Sequence, residues 1–561
     1  MIVKYKILLV VISTLLFLSC SEHSENILFH YVDSLEKVLP EQTLFMDIPA
    51  EVDVVRGETA TFQFAIRAND ELRDVKVGLR NVRSLDTGKN MSFDGTKVSF
   101  VGKVHVGRAQ AEPGSDIIHS ASNYYPDPLM DDESIDIPAA VTTSAWISIP
   151  IGEDINPGKY EGKVFFEGVC GGEQVNRSIT ISINVYSTIL NKQTLKVTNW
   201  YQPGFAYVDG EDVPQFSERW WNLMEEMGDY MKEYRQNVVK IDPLRLADYT
   251  FEEGKVVKVD FARFDDVVKF FKQKGILNMI AGGHIAGREG GWTSQFGYFM
   301  PVLQNNGTAF KWVDCENSEA KEFYKLFFKE LLEHLKQQDW LGMYIQHIAD
   351  EPIKSNAKSY ISISSYVKEL APGLLIVDAC HTKDLDNQID VWIPQLNYLH
   401  RDYEFYKSQQ EKGKIVWFYT CVWPQGEYAN RYIQQPLIKT RLLHWINYKY
   451  GIDGYLHWGL NFWRGDDPMV ETAAIQPDGL VLPAGDAWVL YPYKRHLIPS
   501  IRLEAMRDGI VDYELLKLLE LKNPQLATQL TNSLVYDFDK YDIDIVHFRK
   551  IRRQLLEALE D

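Results

Sequence analysis

Asp350 and Glu351 are adjacent carboxylates at the end of an apolar run, Gly342 to Ile348, that reads as a short β-strand. Two neighbouring acids are costly to bring together unless their charges are used, because each resists ionisation of the other. A bland assignment competes with a chemical one. Pro352 follows, so Asp350 can cap a helix whose first turn holds Glu351 and Pro352. Position argues for chemistry, because the carboxyl end of a strand in a parallel α/β fold is where active sites are built.

The ends of the neighbouring apolar runs carry a consistent set of side chains. Trp200 and Tyr201 close the first run and His284 follows the third; His347 lies within the fourth. Gln395, Asn397 and Tyr398 follow the sixth, Tyr419 and Trp423 the seventh, and Trp458, Asn461 and Trp463 the eighth. Flat rings pack on the apolar C–H face of a pyranose, while amides and imidazoles meet its hydroxyls. These residues are therefore candidate ligands for a sugar.

The elements that must position them follow from periodicity. From Leu195 onward, short apolar strands alternate with amphipathic helices such as Gln215 to Tyr234, Phe264 to Lys274, Ser318 to Gln337 and Pro436 to Tyr450. The strands begin near residues 195, 237, 276, 342, 374, 391, 415 and 454, which predicts a (β/α)8 TIM-type barrel over residues 191–465. Residues 21–190 instead show short alternating runs, Thr59 to Arg67 and Lys163 to Glu167 among them, broken by turn signals such as Pro157-Gly158 and Gly171-Gly172. That pattern predicts an all-β sandwich. Residues 466–561 read as a β-hairpin, formed by Gly479 to Leu482 and Trp488 to Tyr491, followed by helices from Ser500 packed on the barrel. The chain is thus multidomain.

Charge and targeting bound the partners. A formal net charge of −19 over 561 residues offers no basic field for phosphate backbones, so nucleic acid is not an expected ligand. Lys4 and Lys6, the apolar run Ile7 to Leu18 and Ser19-Cys20 form a lipoprotein signal over residues 1–20, with Cys20 as the lipidated residue. An exported protein held to a bacterial membrane by its N-terminus is expected, in the periplasm or on the outer membrane. Cys170, Cys315, Cys380 and Cys421 are widely spaced with no CxxC pair, so neither a zinc site nor a disulfide framework is indicated.

Four features together resemble glycoside hydrolase family 123 and the related DUF4091 proteins. They are Asp350-Glu351-Pro352, His457-Trp458-Gly459, Asp478-Gly479 and the run Pro499-Ser500-Ile501-Arg502-Leu503-Glu504-Ala505-Met506-Arg507-Asp508-Gly509-Ile510-Val511-Asp512-Tyr513-Glu514. The resemblance implies a β-N-acetylgalactosaminidase that removes terminal 2-acetamido sugars with retention, the substrate's own acetamido oxygen attacking C1. Glu351 is then the proton donor, and Asp350 holds the acetamido N–H and stabilises the oxazolinium ion. No metal or organic cofactor is implied. The charge of Asp350 is expected to keep Glu351 protonated at rest. Two other readings stay open: a glycosidase with a separate nucleophile such as Asp378 or Asp453, and a non-catalytic surface glycan-binding lipoprotein.

Overall fold

The computed structural model describes residues 27–560 apart from 92, 109, 306, 477 and 478. The signal region with Cys20, and Asp478 of the expected hairpin, lie outside the described residues.

The N-terminal part is built from two five-stranded sheets. One runs Ile27–Val32, Thr59–Ala68, Thr143–Pro150, Lys97–His105, Tyr124–Met130; the other runs Glu51–Arg56, Glu173–Ile189, Gly158–Cys170, Leu72–Ser84, Ile135–Ile137. Every second residue of Gly158–Cys170 from Tyr160 onward is buried, the period of a strand with one dry face. Between the sheets Phe62, Phe64 and Ile147 meet Val164, Ile181 and Ile183. Thr59–Ala68 is buried on both faces, because its far side is covered by a later helix.

The strands that carry the site form two parallel sheets. Six strands lie in the order Val238–Lys240, Met279–Gly282, Tyr344–Gln346, Leu375–Cys380, Val391–Pro394 and Ile415–Val416, and three in the order Lys196–Asn199, Gly454–His457 and Phe418–Tyr419. The eight-stranded barrel expected from sequence is therefore not one continuous hydrogen-bonded ladder. The seventh strand is split at Trp417, one half joining each sheet. At the other seam side chains supplement a single backbone bond, from the Asn237 amide to the Val197 carbonyl at 3.1 Å: Asn237 Oδ1 accepts from the Val197 amide at 2.9 Å and Gln236 Oε1 from the Asn199 amide at 2.9 Å. Helices pack outside, as Ser318–Gln337 shows. Asn317 caps it through the Ala320 amide, and Phe323, Phe327, Leu331 and Leu335 bury a stripe of i, i+4 spacing.

The C-terminal region departs from expectation in its hairpin. Val481–Leu482 pairs with Ala474–Ile475, and Tyr491–Tyr493 pairs with His496–Ile498, while Trp488 is buried between them. Pro483 and Gly485, the latter at φ +90°, turn the chain away before Trp488. The helix Ile501–Lys522 is buried along most of its length and shows no polar face, because it is enclosed on all sides. Arg502 donates to Asp127 of the N-terminal sheets at 2.8 and 2.7 Å, and Tyr234 donates to Glu504 at 2.8 Å. Asp512 accepts from Arg441 at 2.7 Å, Arg552 at 2.9 Å and Trp445 at 3.0 Å. Gly509 admits a close helix crossing, since a Cβ there would stand 2.4 Å from the Arg441 carbonyl. The last helix, Ile545–Glu560, returns to the N-terminal sheets through Arg549 and Asp33 at 2.8 Å and Arg553 and Asp53 at 2.7 Å. The C-terminal region thus packs on both parts of the molecule and not on the strand-and-helix part alone.

Candidate active site

The segment leading into Asp350 is pinned before it reaches the pair. Asp378 is fully buried and accepts from the Ile348 amide at 3.0 Å, the Ala349 amide at 3.3 Å and the Tyr360 hydroxyl at 2.6 Å. His347 Nδ1 lies 2.8 Å from its other oxygen. Gln346 is likewise locked, donating to the carbonyls of Gly283 and His347 at 2.7 Å. The helix after the pair begins only at Ala357, with Asn356 in the cap position, so Asp350 caps nothing. Glu351 has φ +45°, the left-handed region that a residue with a side chain enters at a cost of about 1–3 kcal/mol. Arg288 holds it there, donating from Nη2 to the Glu351 carbonyl at 2.7 Å.

The Glu351 carboxylate is gripped from the neighbouring strand ends. Tyr419 donates its hydroxyl to Oε1, and His381 Nε2 stands 3.2 Å from the same oxygen. His381 is in turn 2.5 Å from the Tyr419 hydroxyl and packs edge-on against Tyr398 with centroids 4.7 Å apart. Gln395 donates to the Tyr419 oxygen at 3.3 Å. Burial raises the Glu351 carboxyl, but the His381 bond and charge, the Tyr419 bond and the Arg288 charge together hold it below its ordinary value. Asp350 moves the other way. Its side chain is exposed at the strand end, yet desolvation by the surrounding protein and then the Glu351 charge push its carboxyl up, only partly offset by the charges of Lys240 and Arg288. The expected order is thereby reversed, because the donors converge on Glu351: at rest Asp350 is the readier of the two to hold the shared proton.

On the opposite side, Lys240 Nζ lies 3.6 Å from the centroid of the Trp200 ring, and Trp200 meets His284 and His347 edge-on at 5.6 and 5.5 Å. Burial depresses both Lys240 and His284. His284 Nε2 has no hydrogen-bond partner and stands 3.7 Å from Asp378 Oδ1. His284, His347 and Asp378 are spaced closely enough to hold an ion, as are His400, Asp537 and Asp539. In the first group Asp378 is committed to His347, Tyr360 and two backbone amides.

The remaining candidates divide. Trp458 is half-buried at the eighth strand end and donates to Asp486 at 3.2 Å; Trp423 and Asn397 are also half-buried, Asn397 Oδ1 lacking a partner. Three residues are turned to packing instead. Tyr201 faces the helix layer and meets Phe271 with centroids 5.4 Å apart, since side chains alternate across the strand end and Trp200 takes the inner side. Asn461 is buried and spends both ends of its amide on the Gln202 backbone at 2.8 Å. Trp463 is buried with its indole bonded to the Leu490 carbonyl at 2.8 Å. Neither alternative nucleophile is placed for attack, because Asp378 is enclosed and saturated, and Asp453 precedes the eighth strand at the opposite end of the sheet.

Sequence reasoning missed His381, Lys240, Arg288 and Asp486. His381 and Lys240 close the fifth and second strands, ends that carried no aromatic or amide signal. Arg288 belongs to an inserted sheet, Ala286–Arg288, Phe296–Gln304 and Gly307–Asp314, whose alternating apolar residues before Asn305-Asn306-Gly307 are a hairpin signal. Asp486 is fully buried, and burial raises its carboxyl to about 7.

The sequence profile of the glycoside hydrolase 123 catalytic domain matches residues 200–519, and that of the glycoside hydrolase 123 N-terminal domain matches residues 40–167. The chain belongs to glycoside hydrolase family 123. Among solved structures, it is similar to a family 123 glycoside hydrolase from Clostridium perfringens studied for glycolipid glycan hydrolysis. The two share 15% identity with a TM-score of 0.71, covering 95% of this chain and 97% of that one. A β-D-glucuronidase from Dictyoglomus thermophilum matches at 11% identity and a TM-score of 0.34, covering 81% and 66% of the two chains. An endo-β-1,4-mannanase from Thermotoga petrophila matches at 13% and 0.34, covering 58% and 77%. No curated protein matches the sequence.

Proposed function

We propose that this hydrolase removes a terminal β-linked 2-acetamido sugar, N-acetylgalactosamine first among them, from a glycolipid or another glycoconjugate. The observation that carries the reading is the pair itself: Glu351 sits in a left-handed conformation next to an exposed Asp350, six residues before the helix that either was expected to start. Adjacent residues do not flank a sugar ring as the two carboxyls of a double-displacement enzyme do, at about 5–5.5 Å from different strands. They suit substrate assistance. The acetamido carbonyl oxygen attacks C1 as the C1–O bond breaks, and Glu351 passes a proton to the leaving oxygen. Asp350 takes the amide N–H and stabilises the oxazolinium charge. Water then opens the ring at C1, giving its proton to Glu351, with net retention.

Since Asp350 is the readier to hold the proton at rest, the acetamido N–H contact favours its ionised form and moves the proton to Glu351 as substrate arrives. Trp200, His284, Trp458 and Tyr398 supply ring and imidazole surface around this centre. We read the two parallel sheets as arcs of one (β/α)8 barrel, a view supported by the side-chain bonds of Gln236 and Asn237 at one seam and the split seventh strand at the other. Lipidation at Cys20 would hold the enzyme at a membrane surface, where glycolipid glycans are displayed. The deciding experiment compares an aryl 2-acetamido-2-deoxy-β-galactoside with its 2-hydroxy counterpart. Hydrolysis of the first alone, with retention, supports the reading; efficient hydrolysis of the second overturns it.

A further inference from the structure

The inserted hairpin places one large aromatic ring in the open beside the proton donor. Trp292 is 48% exposed, in the loop between Ala286–Arg288 and Phe296–Gln304. Its ring is covered on one side by the Arg288 guanidinium, 4.3 Å from the centroid, and Arg288 is itself sandwiched against Phe296 at 4.7 Å. The same guanidinium bonds the Glu351 carbonyl, and His381, which stands against the Glu351 carboxylate, lies 5.6 Å from the Trp292 ring, centroid to centroid. The loop is fastened: Asn356 donates to the Ser294 carbonyl at 3.2 Å and Gln295 to the Ser355 carbonyl at 2.9 Å. Arg288 and His381 account for the covered part of this ring, and the other half is left as apolar surface in water.

We infer that Trp292 is the platform for the leaving group, stacking the first pyranose on the reducing side of the cleaved bond. The inference rests on the functional reading above and adds to it the chemistry of the departing half. Glu351 must reach the glycosidic oxygen, so whatever that oxygen carries extends from Glu351 away from Asp350 and the acetamido sugar. His381 and Arg288, the two groups that fix Glu351, are also the two that contact Trp292, which puts the open indole on that side. The occupant is a pyranose without a cationic group: its apolar C–H face suits an indole, and an indole backed by a guanidinium offers no acceptor for a cationic sugar. Hydrolysis of extended glycans is thereby favoured over that of small glycosides with equally basic leaving oxygens.

The test uses the full-length enzyme and two substrates with the same 2-acetamido sugar, a methyl β-glycoside and a β-linked neutral oligosaccharide. Both leaving groups are alkyl alcohols, so both demand the same proton. Trp292→Ala should lower kcat/KM on the oligosaccharide more than on the methyl glycoside by on the order of tenfold, about 1.4 kcal/mol of lost stacking, with Trp292→Phe restoring most of the difference. The free oligosaccharide leaving group should inhibit the wild type and lose that inhibition in the Ala variant. Equal losses on both substrates, or none on either, overturn the platform while leaving the functional reading intact. A wild type that cleaves neither substrate but does cleave a 2-hydroxy glycoside overturns the functional reading, and the platform with it.

Discussion

His381 Nε2 stands 3.2 Å from Glu351 Oε1, the oxygen that also accepts the Tyr419 hydroxyl. Both contacts stabilise the ionised carboxylate, and their consequence is kinetic. On the proposed mechanism the active enzyme holds one proton on the Asp350–Glu351 pair, so kcat/KM should rise and then fall with pH, the acid limb marking loss of the first proton. That limb belongs chiefly to Glu351, whose carboxyl is held down. Tyr419→Phe removes one cause of the depression, so the limb should move to higher pH. A pH profile of the variant with an unmoved acid limb refutes this account of the Tyr419 bond.

Glu351→Gln keeps the shape of the side chain and removes its proton. On a substrate with a basic leaving oxygen, kcat should fall by about a hundredfold to ten-thousandfold, the range for a positioned general acid. An aryl glycoside with a strongly acidic phenol should lose less in the first step. A Glu351→Gln variant that keeps near wild-type rates on both substrates would show that Glu351 transfers no proton.

Asp350→Asn reaches the acetamido group without its charge. The deficit should fall on kcat, by about a hundredfold to a thousandfold, as for removal of one preorganised electrostatic partner. With no second carboxyl to titrate, and with the repelling charge gone, the alkaline limb of the pH profile should move to lower pH. A thiazoline analogue of the oxazolinium should bind the variant much more weakly than the wild type, and undiminished binding contradicts the role.

Asp512 tests the frame instead of the chemistry. Its carboxyl is buried, which alone would raise it, but the charges of Arg441 and Arg552 hold it down at about 2, below the ordinary 3.8. A depressed acid contributes stability that is present above the unfolded value and lost as pH falls through the folded one. Thermal stability should therefore decline between about pH 4 and pH 2. Asp512→Asn takes one of two carboxylate partners from each of two buried guanidinium groups, leaving Asp508 to Arg441 and Glu58 to Arg552, and should cost up to about 3–5 kcal/mol at neutral pH. Denaturant titration at two pH values measures both effects.

Lipidation at Cys20 is the proposed anchor. The lipidated wild type should be recovered with membranes, since each buried CH₂ contributes about 0.8 kcal/mol. Cys20→Ala should release the enzyme or stall its processing, and a wild type found wholly in the soluble fraction rules out the anchor.

Much of this was readable from residue patterns. Asp350, Glu351 and the strand ends at Trp200, Gln395, Tyr419 and Trp458 follow from apolar runs that stop at polar or aromatic residues. Their partners were harder to find. His381 lies 30 residues from Glu351 in sequence and touches it only because the fourth and fifth strands are neighbours. Arg288 arrives on an inserted hairpin that no helix-and-strand alternation anticipates. Asn461 and Trp463 look like sugar ligands by residue type, yet buried backbone groups on Gln202 and Leu490 claimed them first. The proton order of the pair was also hidden, because it depends on which carboxylate collects the donors.

The enclosed helix Ile501–Lys522 bears on how the molecule unfolds. Its charged side chains are shared between Asp127 on one side and Arg441 on the other, and Asp512 also meets Arg552 of the final helix, which binds Glu58 of the first sheets. Pulling the two halves apart would break the buried Arg502–Asp127 and Arg552–Glu58 pairs in one step. The N-terminal sheets and the catalytic half are thus expected to melt as one cooperative unit and not as two separate domains.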